Sequence, residues 1–106
     1  DAIGTSKHKI RVSKNFTNPA EQKMAQLSYE VLGYDTLNDV SEVLVFLGTG
    51  HRHQIRCQFA YENHPLLGDE LYGGRPSPRL YLHALEYQLR INGKELKFHS
   101  PLPKDW

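Results

Sequence analysis

The feature that most constrains this chain is an apolar run at residues 43–47, followed by a Thr-Gly turn and a short basic amphipathic segment. The run has strand length and is rich in β-branched residues, so it predicts a central strand that is covered on both faces. The next segment predicts a helix over residues 51–62, with Thr49 as its N-cap. Ile55 and Phe59 are four residues apart and form its core-facing stripe.

The start of this helix carries a cluster of basic side chains. His51, Arg52 and His53 lie at the positive end of the helix dipole. Arg52 and Arg56 are four residues apart, so they share one helix face. The cluster therefore predicts a place that holds a negative charge, either a phosphate or a carboxylate. Pro65 ends the helix, because the residue before a proline is pushed out of helical geometry.

The C-terminal third predicts a β-hairpin. Residues 80–91 read as a long strand that is buried on both faces in its first half and on one face in its second half. Asn92-Gly93 predicts a tight turn with positive φ, and the chain then returns as a partner strand with Leu96 and Phe98 inward. With the central strand and the helix, this predicts an α+β fold with a mainly antiparallel, or mixed, sheet and one or two short helices.

The N-terminal third gives less information. Residues 1–19 are basic and poor in apolar side chains, so they are predicted to form an extended or loosely ordered connecting arm, with the globular portion at residues 20–106. Residues 20–32 fit both helical spacing and strand alternation, and pattern alone does not decide between them. Gly33 is expected to close either element.

Composition limits the class of protein. With 106 residues the chain is one domain at most. Its formal net charge is only +1, so the molecule as a whole is not a polycation. Any contact with nucleic acid must therefore come from a local patch. No apolar run approaches membrane-spanning length, so no membrane partner is expected. The single Cys57 excludes an internal disulfide and fits an intracellular setting.

Four ordered blocks carry a resemblance to a known family. They are TGHRHQIR, NHPLLGDELYGG, RLYLHALEYQL and the closing FHSPLPKDW. In order and spacing they resemble the C-terminal part of the catalytic domain of RluA-like RNA pseudouridine synthases. The match is strong from Leu44 to Trp106 and weaker, though in register, before that. It favours a strand for the ambiguous stretch after residue 20.

The resemblance implies isomerisation of specific uridines in RNA, such as rRNA or tRNA, to pseudouridine. The glycosidic C–N bond breaks, the uracil turns over, and a C–C bond forms, without cofactor or metal. The target base must be flipped out of its stack. The family's catalytic aspartate lies upstream in a motif of the type GRLD, which this chain lacks. We therefore expect the chain alone to be inactive.

The blocks also assign roles to residues of this chain. Arg56 matches the family's basic partner of the catalytic aspartate, and a guanidinium can keep an enclosed carboxylate charged. Leu82 matches an aliphatic residue that lines the uracil pocket. The candidates for RNA contact or for pocket ordering come from the helix start, where His51 and Arg52 depart from the family's Arg followed by Ser or Thr. These candidates are His51, Arg52, His53 and Gln54.

Several alternatives stay open from the residues alone. Arg56 can instead pair with Glu62 or Asp69 on the surface, while Asp69 itself follows Gly68 as a turn carboxylate. A non-catalytic RNA-binding module would keep the fold without the chemistry. A metal module has enough ligands but no paired CxxC or HxxxH spacing. Its potential ligands are His51, His53, Cys57, His64 and His83.

Overall fold

The computed structural model describes residues 2–13, 22–24, 27–48 and 52–106. In chain order the elements are β1 (Ala2–Ser13), β2 (Gln22–Met24), β3 (Leu27–Asp35), β4 (Val40–Leu47), α1 (Arg52–Tyr61), a 3-10 turn (Glu70–Tyr72), β5 (Leu82–Ile91) and β6 (Lys94–His99). The strands form a six-stranded sheet in the order β2-β3-β4-β1-β5-β6, and all neighbours in the described ranges run antiparallel. The predicted α+β class is confirmed.

Strand β1 lies inside the sheet, between β4 and β5. The prediction of a connecting arm over residues 1–19 is therefore wrong for residues 2–13, while residue 1 and residues 14–19 lie outside the described part of the chain. Ile10 and Val12 are fully buried on the core face. The same face carries the buried polar pair Ser6 and His8, whose side chains are hydrogen-bonded at 3.1 Å. Because these two core-facing positions are polar, the segment lacks the apolar alternation that would have identified a strand.

The strands β3 and β4 also differ from expectation. Residues 27–35 form a strand, as the resemblance favours, but Gly33 does not end it, because pairing with β4 resumes after a register shift between Val31 and Gly33. The burial of β4 alternates, with Val43, Val45 and Leu47 buried and the residues between them half-buried. Only one face of β4 is therefore buried against the core, and the prediction that both of its faces are covered is wrong.

The helix α1 packs on the buried face of the sheet. Ile55 and Phe59 are both fully buried, so the predicted stripe is confirmed, and the Phe59 ring packs edge-on against Tyr29 with centroids 5.3 Å apart. The predicted N-cap Thr49 lies outside the described residues. The core cluster combines residues of β1, β3, β4, β5, α1 and the loop after α1, namely Ile10, Val12, Leu27, Tyr29, Val43, Val45, Leu47, Ile55, Phe59, Leu66 and Leu82.

The hairpin of β5 and β6 is present, but it is less covered than predicted. Asn92 and Gly93 form its turn with φ of 51° and 78°, which confirms the turn prediction. Leu96 and Phe98 are 43% and 56% exposed, so the inward placement predicted for them is wrong. The physical reason is that the core cluster contains no residue of β6, and only Leu82 of β5. The prediction that the first half of this strand is buried on both faces is therefore wrong as well.

Candidate active site

The loop after α1 is fixed to the sheet by main-chain hydrogen bonds. The helix closes where the His64 N–H donates to the Phe59 carbonyl at 2.8 Å, just before Pro65. Leu66 then forms an isolated antiparallel bridge with Val12, and the Leu67 N–H donates to the Arg11 carbonyl at 2.8 Å. Through these bonds the loop is held at the end of β1 next to α1.

Two glycines let this loop approach other main-chain segments closely. Gly68 has φ of +87°, and a Cβ there would lie 1.9 Å from the Arg79 carbonyl oxygen. At Gly74, a Cβ would lie 2.2 Å from the Leu66 carbonyl oxygen. The Gly74 N–H also donates to the Asp69 carbonyl at 2.8 Å. The glycines therefore close a tight loop around Asp69.

Arg56 and Asp69 form a bidentate ion pair at the centre of the site. Arg56 Nε donates to Asp69 Oδ2 at 2.9 Å, and Nη2 donates to Oδ1 at 2.8 Å. The Asp69 side chain is 1% exposed and that of Arg56 is 23% exposed. These hydrogen bonds raise the pKa of Arg56 above its usual value, against the lowering effect of partial burial. Of the two alternative partners predicted for Arg56, Asp69 is the one observed.

Tyr72 lies against the face of the same guanidinium. The Arg56 Cζ atom is 5.3 Å from the centroid of the Tyr72 ring, which is within cation–π distance. The Tyr72 hydroxyl is in turn hydrogen-bonded to Nε2 of His53, one helical turn before Arg56. Thus α1 and the loop together bring four side chains into one constellation, which consists of His53, Arg56, Asp69 and Tyr72.

The structure places the other predicted site residues differently. His51 lies outside the described residues, and so does the side chain of Arg52, whose main chain begins α1. Gln54 is half-buried on the same helix. Leu82 is 4% exposed and belongs to the core cluster. A wall of a uracil pocket at Leu82 stays a prediction.

Sequence reasoning missed Tyr72 and offered the pairing of Arg56 with Asp69 only as a surface alternative. It read Asp69 as a turn carboxylate, and the main chain of Asp69 does accept turn hydrogen bonds from Tyr72 and Gly74. Its side chain, however, is directed at Arg56, 13 residues earlier. The available signal was that Asp69 and Tyr72 both lie in the NHPLLGDELYGG block, which is the next block after the one that contains Arg56.

Three further findings on the described residues do not add to the site. Within the ranges that the structure describes, no three His, Cys, Asp or Glu side chains are grouped as metal ligands. A groove of about 560 Å³ lies elsewhere, lined in part by Arg11, Tyr34, Arg75 and Tyr81. None of the candidate site residues lines this groove, and Arg11 is already bonded to Glu42. No helix in the described part is long and apolar enough to span a membrane.

The chain is homologous to part of the RNA pseudouridine synthases, which confirms the predicted resemblance. It is 44% identical over 78 residues to ribosomal large subunit pseudouridine synthase D of Haemophilus ducreyi, covering 57% of this chain and 24% of that protein. It is 34% identical over 103 residues to the uncharacterized RNA pseudouridine synthase YjbO of Bacillus subtilis, covering 93% of this chain and 35% of that protein.

A solved structure has the same fold. Human RNA pseudouridylate synthase domain containing 1 superposes with a TM-score of 0.77 at 20% identity, covering 94% of this chain and 55% of that one. No family model matches the chain. The chain spans between 24% and 35% of the length of the curated relatives that it matches.

Proposed function

We propose that this chain is the part of an RNA pseudouridine synthase that supplies the active-site arginine. The observation that carries the proposal is the geometry of Arg56, which falls in the TGHRHQIR block and which, among the described residues, is hydrogen-bonded to Asp69 through one edge. An arginine has five N–H donors, and the pair uses the one on Nε and one of the two on Nη2. The terminal edge of the guanidinium is thus available to a second carboxylate.

The second carboxylate would come from an upstream segment that this chain lacks. A carboxylate enclosed beside a flipped uridine loses hydration, which raises its pKa and favours the neutral form. A guanidinium held against it reverses that effect and fixes its orientation. In this role Arg56 keeps the carboxylate charged while the glycosidic bond breaks, the uracil turns over and the C–C bond forms. No metal or cofactor is part of the proposal.

The family resemblance also supplies the candidates for RNA contact and for the rest of the uracil pocket. His51, Arg52, His53 and Gln54 are the candidates for RNA contact at the start of α1, and Leu82 is the candidate for a wall of the uracil pocket. The substrate is RNA, with rRNA and tRNA as the expected classes, so an intracellular setting belongs to the proposal.

A second function has one observation in its favour. Asp69 already neutralises Arg56 inside this chain, so the arginine needs no upstream carboxylate to remain partly buried. That arrangement suits a non-catalytic RNA-binding module that keeps the fold without the chemistry. The two functions predict different outcomes for the same substitution.

The test replaces Arg56 with Met in the full-length parent protein. The substrate is RNA isolated from cells that lack the protein. We expect the variant to form pseudouridine in this RNA about 10³-fold more slowly than the parent, or slower still, as measured by mass spectrometry of nucleosides. The 106-residue chain alone should form no product. Wild-type turnover in Arg56→Met would refute the catalytic role, and an inactive parent that still binds RNA would favour the binding module.

A matched control separates chemistry from folding. Arg56→Met leaves the buried Asp69 carboxylate without its partner, which can unfold the site. The double variant Arg56→Met with Asp69→Asn removes both charges. If this variant melts like the parent and is still inactive, the loss belongs to the missing guanidinium rather than to instability. If both variants fail to fold, Arg56→Lys provides the third measurement, because it keeps a cation but lacks the planar fork.

A further inference from the structure

Arg56 is held on two sides by residues of one loop. Asp69 occupies the edge formed by Nε and Nη2, with both bonds between 2.8 and 2.9 Å. The Tyr72 ring covers the guanidinium at 5.3 Å. An unrestrained arginine side chain samples many rotamers, whereas a planar fork bound on an edge and on a face has one orientation. The remaining terminal edge is therefore aimed in a fixed direction.

The loop that carries these two residues is held by its own main-chain hydrogen bonds. Asp69 accepts main-chain hydrogen bonds from Tyr72 at 3.1 Å and from Gly74 at 2.8 Å, and its own N–H donates to Leu66 at 3.1 Å. The 3-10 turn Glu70–Tyr72 brings Tyr72 round to the same side as the Asp69 carboxylate. A loop with these constraints fixes the position of the guanidinium relative to the sheet.

The helix completes the arrangement. His53 lies three residues before Arg56, so both side chains project from the same face of α1. His53 is hydrogen-bonded to the Tyr72 hydroxyl, and the two rings pack edge-on with centroids 5.4 Å apart. His53 thus contacts Arg56 only through Tyr72 among the contacts of the described residues.

We infer that Asp69 and Tyr72 are positioning residues for Arg56, and that His53 acts on Arg56 through Tyr72. This inference rests on the proposed function of Arg56 and changes the role of His53 from RNA contact to positioning. The physical basis is that an arginine displaced by about 1 Å from its reacting partner can lose about 100-fold in rate. Loss of positioning lowers turnover and leaves RNA affinity unchanged, because none of the three residues needs to touch the RNA.

The experiment measures single-turnover rate and RNA affinity separately in the full-length parent protein, with the same cellular RNA as substrate. We expect Asp69→Asn to lower the rate by 10- to 100-fold and Tyr72→Phe by about 3- to 10-fold, each with an unchanged Kd for RNA. Glu70→Gln, an exposed residue of the same turn, is the control and should behave like the parent.

The link through His53 is tested by a double-mutant cycle. His53→Ala and Tyr72→Phe should each give a similar loss of rate, and the double variant should lose no more than either single variant. Additive losses would show that His53 acts independently and would overturn that part of the inference. Tyr72→Leu, which removes the ring as well as the hydroxyl, should cost more than Tyr72→Phe.

The outcomes separate this inference from the proposed function. If Arg56→Met is inactive while Asp69→Asn and Tyr72→Phe turn over like the parent, the positioning roles are wrong and the role of Arg56 stands. If the RNA Kd weakens in step with the rate, the residues contact RNA and the inference is overturned. If Asp69→Asn does not fold, the Tyr72 and His53 variants, which are nearer the surface, decide the matter through the same split of rate and affinity.

Discussion

At the scale of single residues, Glu42 shows how the exposed face of the sheet is held together. Its carboxylate accepts from Arg11 Nε at 3.1 Å and from the Trp106 indole at 3.3 Å, and Lys9 Nζ lies 3.6 Å away. Burial raises the pKa of Glu42. The hydrogen bond from Arg11, the charge of Lys9 and the indole hydrogen bond lower the pKa by more than burial raises it, so it lies below its usual value of 4.5.

The lowered pKa of Glu42 predicts a pH dependence of stability. A carboxyl group whose pKa is lower in the folded state contributes stability above its unfolded pKa, and that contribution is lost as the pH falls through the folded pKa. We expect Glu42→Gln to lower Tm at about pH 7 and to differ little from the parent at about pH 3. The measurement is thermal denaturation by circular dichroism, with Glu70→Gln as control. An equal Tm difference at both pH values would contradict this account.

At the scale of elements, the loop after α1 decides where the site lies. The helix supplies Arg56, but the direction of its guanidinium depends on a segment that turns back over the end of β1. That turn is possible because Gly74 has no Cβ to collide with the Leu66 carbonyl. The loop therefore shapes the candidate site through its main chain as much as through its side chains.

We expect Gly74→Ala to destabilise the protein and to lower turnover together. A Cβ at 2.2 Å from one carbonyl oxygen and 2.9 Å from another forces the main chain of the loop to shift. We estimate a loss of about 1 to 3 kcal/mol in unfolding free energy, measured by urea denaturation. The matched control is Gly33→Ala, where a Cβ would meet nothing within 4 Å, so stability should change by less than about 0.5 kcal/mol. Parent-like stability of Gly74→Ala would contradict the close approach.

At the scale of the whole molecule, the two ends of the sheet differ. Over β3, β4 and the second half of β1, α1 buries a continuous core. At the other end, the edge strand β6 and the end of β5 carry apolar side chains on one face, since Tyr87 pairs with Phe98 and Leu89 pairs with Leu96. Four of the side chains on this face are more than a third exposed, namely Tyr87, Ile91, Leu96 and Phe98.

This exposed face predicts self-association of the 106-residue chain. An apolar edge strand with unpaired main-chain groups favours contact between copies. We expect Leu96→Thr with Phe98→Lys to shift the chain toward monomer in sedimentation velocity at tens of micromolar concentration. Glu95→Thr on the opposite face of the same strand is the control and should leave association unchanged. A parent chain that is monomeric at these concentrations would refute the prediction.

Much of the local structure could be predicted because its causes are local. Helical spacing of Ile55 and Phe59 located α1, Asn92-Gly93 located the hairpin, and the block around Arg56 pointed to the arginine that the structure pairs with Asp69. Each of these signals depends on residues at most a few positions apart. The ordered blocks then carried the resemblance to the family.

The tertiary structure alone decided the features that depend on distant residues. It placed β1 inside the sheet, although its buried Ser6 and His8 conceal the strand pattern. It gave Arg56 the carboxylate of a buried Asp69, a pair that the sequence offered only as a surface alternative, and it left Phe98 exposed, although the pattern predicted it inward. The reason is physical. Burial and ion pairing depend on which elements lie next to each other, whereas a linear pattern shows only which side chains each element contributes.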